Sequence, residues 1–280
     1  MSRPDYVSGK TIIVTGAASG FGRLISEKAA ARGASIVCAD INADVLENAV
    51  SGIQGNGGTA MAYVANVTDA GEMAALAQAT VDAYGSIDVM INNAGVMPLA
   101  FFSDHKEALD RWHQCIDINI KGVLNGMVAV YDQMLVQGGG HIINMSSIYG
   151  NFPVAGAAVY GATKAAVNFL SESMRVESAG KIKVTRVKPT GVPATGLAGS
   201  VVNPEAIIGI AGHNAPAYLA TVTQYIEGSL PESQSSVESI GYAVLDPEVI
   251  AEEVIHAIDQ PPGVTIGDVS VRASGDQFIL

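Results

Sequence analysis

Tyr160 and Lys164 stand four residues apart, a spacing that puts both side chains on one face of a helix. A phenol titrates near 10, and a fixed ammonium beside it favours the phenolate and lowers that value. Such a pair exchanges a proton close to neutral pH, as general acid–base chemistry requires. On its own, Tyr-x-x-x-Lys equally describes an ordinary amphipathic pair. Two further polar residues raise it above that. Ser147 lies thirteen residues before Tyr160, just past a short apolar run. Asn119 sits among Ile118, Ile120 and Val123, an odd place for an amide unless it has a task. Tyr149 is a rival phenol, but four residues on from it is Pro153, so it reads as a pocket wall. No G-x-S-x-G elbow surrounds Ser147, which disfavours a hydrolase. The five histidines are scattered, with no HExxH or Cys/His pairing, so no metal is expected.

A second constellation lies near the start of the chain. Gly16, Gly20 and Gly22 fall in the run Thr15-Gly16-Ala17-Ala18-Ser19-Gly20-Phe21-Gly22, directly after the apolar run Thr11–Thr15. Glycines let a backbone turn sharply and approach a pyrophosphate, whose charge then meets a helix N-terminus. A tight strand-to-helix turn needs glycine anyway, so the placement and the acid that follows carry the reading. That acid is Asp40, 18 residues past Gly22 at the end of a second apolar run. A carboxylate there accepts the ribose hydroxyls of an adenosine and repels a 2′-phosphate. No Arg or Lys occupies Ala17–Phe21 or Ile41–Asn42 to offset it, so NAD is expected over NADP. The competing role for Asp40 is to cap the next turn, with Asn42 and Asp44 as rival caps. Asn92-Asn93-Ala94-Gly95 follows a fourth apolar run. Alone it is a strand-end turn, but it falls at the sheet edge where the cofactor would lie.

These residues need a scaffold, and the chain supplies an alternating one. The runs Thr11–Thr15, Ala34–Ala39, Thr59–Val64, Ile87–Ile91, His141–Met145, Ile182–Val187 and Val264–Val271 suit strands buried on both faces. Between them, Phe21–Arg32, Asp44–Ile53, Gly71–Tyr84, Asp110–Gln137 and Tyr160–Ser178 have helical character without interior proline. Asp246 and Pro247 open a last helix, to about Gln260, as N-cap and first helical residue. The order predicts an α/β fold, a Rossmann-type doubly wound parallel sheet of about seven strands with helices on both faces. It can absorb residues 1–280 as one domain. The exception is Thr190 to Leu245, rich in Gly, Ala and Ser and poor in periodicity. A connection this long at a strand's C-terminal end is expected to be a substrate loop or lid.

Composition excludes several classes. Lys+Arg number 15 against 27 Asp+Glu, a net charge of −12, the wrong sign for a phosphate backbone. Charged residues are 15% and hydrophobics 49%, too little charge and too much apolar surface for a disordered chain. No apolar stretch is long enough for a membrane span, and Met1–Lys10 carries no signal-peptide segment. Two cysteines, Cys38 and Cys115, cannot build a disulfide framework, so a reducing, cytoplasmic setting is expected.

Taken together, Thr15–Gly22, Asn92–Gly95, Ser147, Tyr160 and Lys164 resemble the short-chain dehydrogenase/reductases, over Lys10 to about Val271. The TGxxxGxG spacing and the NNAG turn resemble the compact single-domain branch. The resemblance implies that Tyr160 moves the proton at the carbonyl or alcohol oxygen and that Ser147 bonds that oxygen. It implies that Lys164 lowers the tyrosine pKa and binds the nicotinamide ribose, and that Asn119 holds a water in a proton relay. The dinucleotide would lie against Gly16, Ser19, Gly20, Phe21, Gly22, Asp40, Ile41, Asn93, Ala94 and Gly95, with Tyr160 and Lys164 at its nicotinamide end. A homotetramer packed through the Asn119–Gln137 and Tyr160–Ser178 segments is implied as well.

Three positions depart from the family pattern. Asn66-Val67 replaces Asp-Val after the third strand, and the asparagine carbonyl is expected to keep the adenine contact. Pro189-Thr190-Gly191, followed by Val192, replaces Pro-Gly after the sixth strand. The threonine for the carboxamide is expected at Thr195, with Ala194 the adjacent candidate. The pocket expected from the resemblance uses Val96, Met97, Ile148, Tyr149, Phe152, Val154, Val192 and parts of Thr195–Leu230. It is apolar, with no Arg or Lys for a carboxylate or phosphate. The expected activity is therefore an NAD-dependent alcohol dehydrogenase or ketoreductase acting on a hydrophobic secondary alcohol or ketone. The alternatives are a 3-oxoacyl-(acyl-carrier-protein) reductase and a non-catalytic NAD-binding protein. An acidic chain repels an acidic carrier, and retention of Asn119, Ser147, Tyr160 and Lys164 disfavours the second.

Overall fold

A computed structural model describes residues 4–193 and 195–279. Strands and helices alternate: β1 (Thr11–Thr15), α1 (Gly20–Ala31), β2 (Ser35–Asp40), α2 (Ala43–Gly55), β3 (Thr59–Val64), α3 (Ala70–Tyr84) and β4 (Val89–Asn92). There follow α4 (His105–Ile116), α5 (Val123–Val136), β5 (Gly140–Met145), α6 (Ala158–Glu177) and β6 (Ile182–Pro189). Three short helices, α7 (Ile208–Ala211), α8 (Ala215–Ile226) and α9 (Glu232–Ser235), precede α10 (Pro247–Ile258) and β7 (Asp268–Val271). Among the described residues the strands form one parallel sheet in the order β3-β2-β1-β4-β5-β6-β7.

The continuous apolar runs are explained by a helix layer on each face. Along β1, Ile12 and Val14 pack with Ile25 of α1, Leu46 of α2 and Val254 of α10. Ile13, between them, points the other way and packs with Leu76 of α3, Val130 of α5 and Val167 of α6. Asn42 caps α2 by accepting from Val45 N, and Asp246 caps α10 by accepting from Glu248 N at 2.8 Å.

Three expectations are adjusted. The helix expected over Asp110–Gln137 begins earlier, at His105, and Asp117–Gly122 winds as a π-helix between α4 and α5. The last strand starts at Asp268 and not at Val264, whose N–H instead closes a turn onto the Pro261 carbonyl. Thr190 to Leu245 is organised by short helices and 3-10 turns, with Ala206, Ile210, Ala211 and Ala215 buried.

His141 on β5 is fully buried. Thr185 Oγ1 donates to Ile266 O at 2.6 Å, so at 2.7 Å the imidazole Nε2 must donate to Thr185. Nδ1 is then a bare acceptor with no partner. Protonating it would bury an unpaired charge near Lys183 and Lys10, and burial pushes its pKa down to about 3. The unfolded chain therefore binds the proton more readily than the fold. This contribution to stability is complete above about pH 6.5 and is lost progressively as pH falls toward 3. At pH 5 the loss should be about 2 kcal/mol. Urea unfolding at pH 7 and pH 5 should show the wild type losing that much more than His141→Gln. Equal losses would show that His141 does not set the acid limit.

Candidate active site

The glycine turn is compressed beyond what a side chain tolerates. Gly16 follows β1 at φ +65°. A Cβ on Gly22 would lie 2.2 Å from the Gly16 carbonyl oxygen and 2.6 Å from Asn93 Nδ2. Ser19, the N-cap of α1, accepts no first-turn N–H with its side chain, so those groups are left to face an anion. A cradle closed to side chains and lined by N–H donors fits a dinucleotide pyrophosphate.

A latch joins this turn to the Asn92–Gly95 turn across the β1–β4 boundary. Asn93 Nδ2 donates to Thr15 O at 2.9 Å and Gly16 O at 3.2 Å. Thr15 Oγ1 accepts from Asn93 N and Ala94 N and donates to Ile91 O. Asp40, at the end of β2, accepts from Ala18 N at 3.1 Å and Asn42 N at 3.0 Å. It thus holds the glycine loop and the next turn together, and its neighbour Ile41 is 69% exposed. Asn66 Oδ1, the carbonyl expected to meet adenine, already accepts from Thr68 N and Thr68 Oγ1. Val67 is fixed from the other side, its carbonyl accepting from Asn125 Nδ2 at 2.9 Å.

The proton-transfer residues converge at the C-terminal ends of β4 and β5. Tyr160 and Lys164 lie one turn apart on α6, both buried. Lys164 Nζ donates to Met145 O at 2.8 Å and stands 5.8 Å from the Tyr160 ring centre. Ser147 caps the short turn after β5, its Oγ accepting from Tyr149 N at 3.3 Å, and it acts on Tyr160 by lowering the phenol's pKa. Gly95 makes room: a Cβ there would lie 3.2 Å from Asn119 Oδ1 and 3.6 Å from Lys164 Nζ. Asn119 sits in the π-helix, a distortion frequent at functional sites. Its Oδ1 accepts from Val96 N at 3.0 Å and its Nδ2 donates to Val96 O at 2.9 Å. Thr163 Oγ1 and Cys115 Sγ complete its surroundings. The amide is therefore engaged in holding the strand-end loop, a role the sequence did not suggest.

Burial shifts both members of the pair. It raises the Tyr160 pKa, outweighing the lowering by Ser147. Burial also pushes Lys164 down to about 8. Tyr160 is thus a neutral O–H donor at pH 7, suited to giving a proton to an oxygen, and Lys164 titrates just above neutrality.

Pro189, the last residue of β6, and the loop that follows bring Thr190 and Gly191 to the same edge. Thr190 is buried, its hydroxyl unpartnered. Val192 leans on the core beneath α1 and α10 and not on the apolar pocket. Thr195 Cβ would stand 3.9 Å from a Cβ on Gly20, so this loop faces the glycine turn; Ala194 lies outside the described residues.

Around Tyr160 the apolar side chains Met97, Leu99, Ile148, Tyr149, Val154 and Ile210 form a cluster. Tyr149 meets Tyr160 edge-on at 5.6 Å. Phe152, expected in the wall, lines with Tyr149 and Val154 an open cleft beside this cluster and is 56% exposed. Leu99, Ile210 and Phe278, which the sequence did not suggest, join the cluster. The segment after β6 is docked over it: Met97 N donates to Ser200 Oγ, and Val202 N and Asn203 N donate to Leu99 O.

Comparison with known proteins agrees with this geometry. The short chain dehydrogenase family model matches residues 10–206. An uncharacterized oxidoreductase of Listeria monocytogenes is 36% identical, covering 95% of this chain and 96% of its own. The structure of a 7α-hydroxysteroid dehydrogenase with NADH and 7-oxo glycochenodeoxycholic acid superposes with a TM-score of 0.77. It is 25% identical and covers 99% of both chains. A metagenomic short-chain oxidoreductase in complex with NADP has a TM-score of 0.71 and 26% identity, covering 95% of this chain and 98% of its own. The sheet order, the glycine turn and these matches establish that the chain belongs to the short-chain dehydrogenase/reductase family of oxidoreductases.

Proposed function

We propose that the protein transfers a hydride between NAD(H) and a hydrophobic secondary alcohol or its ketone, with Tyr160 as the general acid and base. One observation carries the reading: Tyr160, Ser147 and Lys164 meet at the foot of an apolar cluster, beside the Gly95 turn that leads to the dinucleotide cradle. A bound nicotinamide dinucleotide supplies or accepts the hydride. Tyr160 holds the proton for the substrate oxygen, and Ser147 orients that oxygen and the phenol together. Lys164 sits within reach of the Gly95 turn and keeps a positive charge beneath the phenol. Burial keeps Tyr160 protonated, which suits reduction of a ketone; oxidation needs the phenolate, and a nearby ammonium favours it.

NAD over NADP follows from Asp40, which lies against the glycine loop where a 2′-phosphate would meet its carboxylate. The apolar lining fits an uncharged substrate body. We further propose one domain with residues 190–245 acting as a lid. Subunits would pair through α5 and α6, whose Val128 and Phe169 are 66% and 77% exposed.

A panel of alcohols and ketones with both cofactors tests this. NAD should exceed NADP by at least about tenfold in kcat/KM. Asp40→Ala combined with Ile41→Arg should reverse that order. Equal use of both cofactors would remove the Asp40 argument, and no turnover of any member would remove the activity.

A further inference from the structure

The last residues of the chain return to the site. Asn214 Nδ2 donates to Gln277 O at 3.0 Å, and Ile279 N donates to Ile210 O at 3.0 Å. Between these anchors, Phe278 packs into the cluster that holds Tyr160, with its ring centre 5.0 Å from that of Tyr218.

The seat is encoded in two distant glycines. Gly191, in the loop after β6, has φ +61°, and a Cβ there would lie 2.3 Å from Phe278 Cε2. A Cβ on Gly212 would lie 2.5 Å from Ile279 Cδ1. A side chain at Gly191 would meet the Phe278 ring and displace it, whereas one at Gly212, at φ +54°, would meet only the tip of Ile279. A loose C-terminus needs no such clearance. Both glycines belong to the substrate loop, so tail and loop close the pocket as one unit.

Resting on the dehydrogenase reading above, we propose that Phe278 is a specificity-determining residue of this site. It supplies an aromatic wall beside Tyr218 and limits the size of the apolar substituent carried by the reacting carbon. The tail offers no cation toward the cluster, so the substituent it selects is an uncharged alicyclic or aromatic body. Filling or vacating such a wall changes discrimination by about tenfold or more for each methylene-sized step.

The test uses the full-length protein and ketones of increasing ring size, from cyclohexanone through a decalone to a steroid ketone. Two readouts run in parallel, kcat/KM and the ligand-induced rise in Tm with NADH present. Phe278→Ala should raise kcat/KM for the largest ketone relative to the smallest by at least about tenfold, and Phe278→Trp should move the ratio the other way. Truncation after Asp276 should reproduce the Phe278→Ala ranking. The Tm-shift rankings should move in the same directions, which a merely structural role would not produce. A wild-type ranking unchanged in all three variants overturns the assignment of Phe278 while leaving the dehydrogenase intact. A wild type that neither turns over nor is stabilised by any ketone overturns both.

Discussion

Tyr160→Phe should lower turnover by about 10²–10⁴-fold, the loss typical of a deleted acid–base group. The substitution removes one hydroxyl and little volume, so the edge-on contact with Tyr149 survives. No neighbour takes over the proton. Lys164 gives a hydrogen bond to the Met145 carbonyl, and Ser147 is far too weak an acid. Tyr149 is buried and its phenol is also raised by burial. NADH affinity, measured by fluorescence titration, should stay within about threefold, because the cradle at Gly16–Gly22 is on other elements. Near-normal turnover would place the reacting proton elsewhere.

Gly22→Ala should weaken NADH binding by about 100-fold, some 2.7 kcal/mol. The new methyl would collide with the Gly16 carbonyl and the Asn93 amide, and neither can yield. The first is backbone at a positive φ, and the second is fixed by bonds to Thr15 and Gly16. Overpacking of this kind costs about 1–3 kcal/mol, so thermal stability should fall as well. Gly52→Ala is the control. It lies in α2 with open space around it, where alanine favours a helix by about 1 kcal/mol. If Gly22→Ala binds NADH as the wild type does, the turn is not the cradle it resembles.

The legible parts of the molecule are those whose cause is local. Ile12, Ile13 and Val14 read as a doubly buried strand because each face of β1 meets a helix layer. Gly16 and Gly22 could be read because no other residue fits that turn. Asp246 and Pro247 marked the start of α10 through capping chemistry. What the sequence hid depends on tertiary placement. A π-turn has no residue-type signature, so the break at Asp117–Gly122 was invisible. The short helices after β6 are mostly too brief for periodicity to register. The direction of the Tyr160 shift depends on burial, which Tyr-x-x-x-Lys spacing does not report. Phe278 reached the site only through folding, although Gly191 already carried the space for its ring.

Thr15 and Asn93 are 78 residues apart, so the cofactor cleft cannot exist on a partly synthesised chain. As the chain leaves the ribosome, β2 and β3 are available before β4 and can complete one side of β1. The other edge of β1 keeps its N–H and C=O groups unpaired until β4 arrives, an open template for wrong pairing. Loop-closure entropy grows only slowly with length, so late pairing costs the chain time more than final stability. A dinucleotide held as proposed, against both the Gly16 and the Gly95 turns, would stabilise only the finished topology. It would protect the mature fold and offer nothing to the chain still being made.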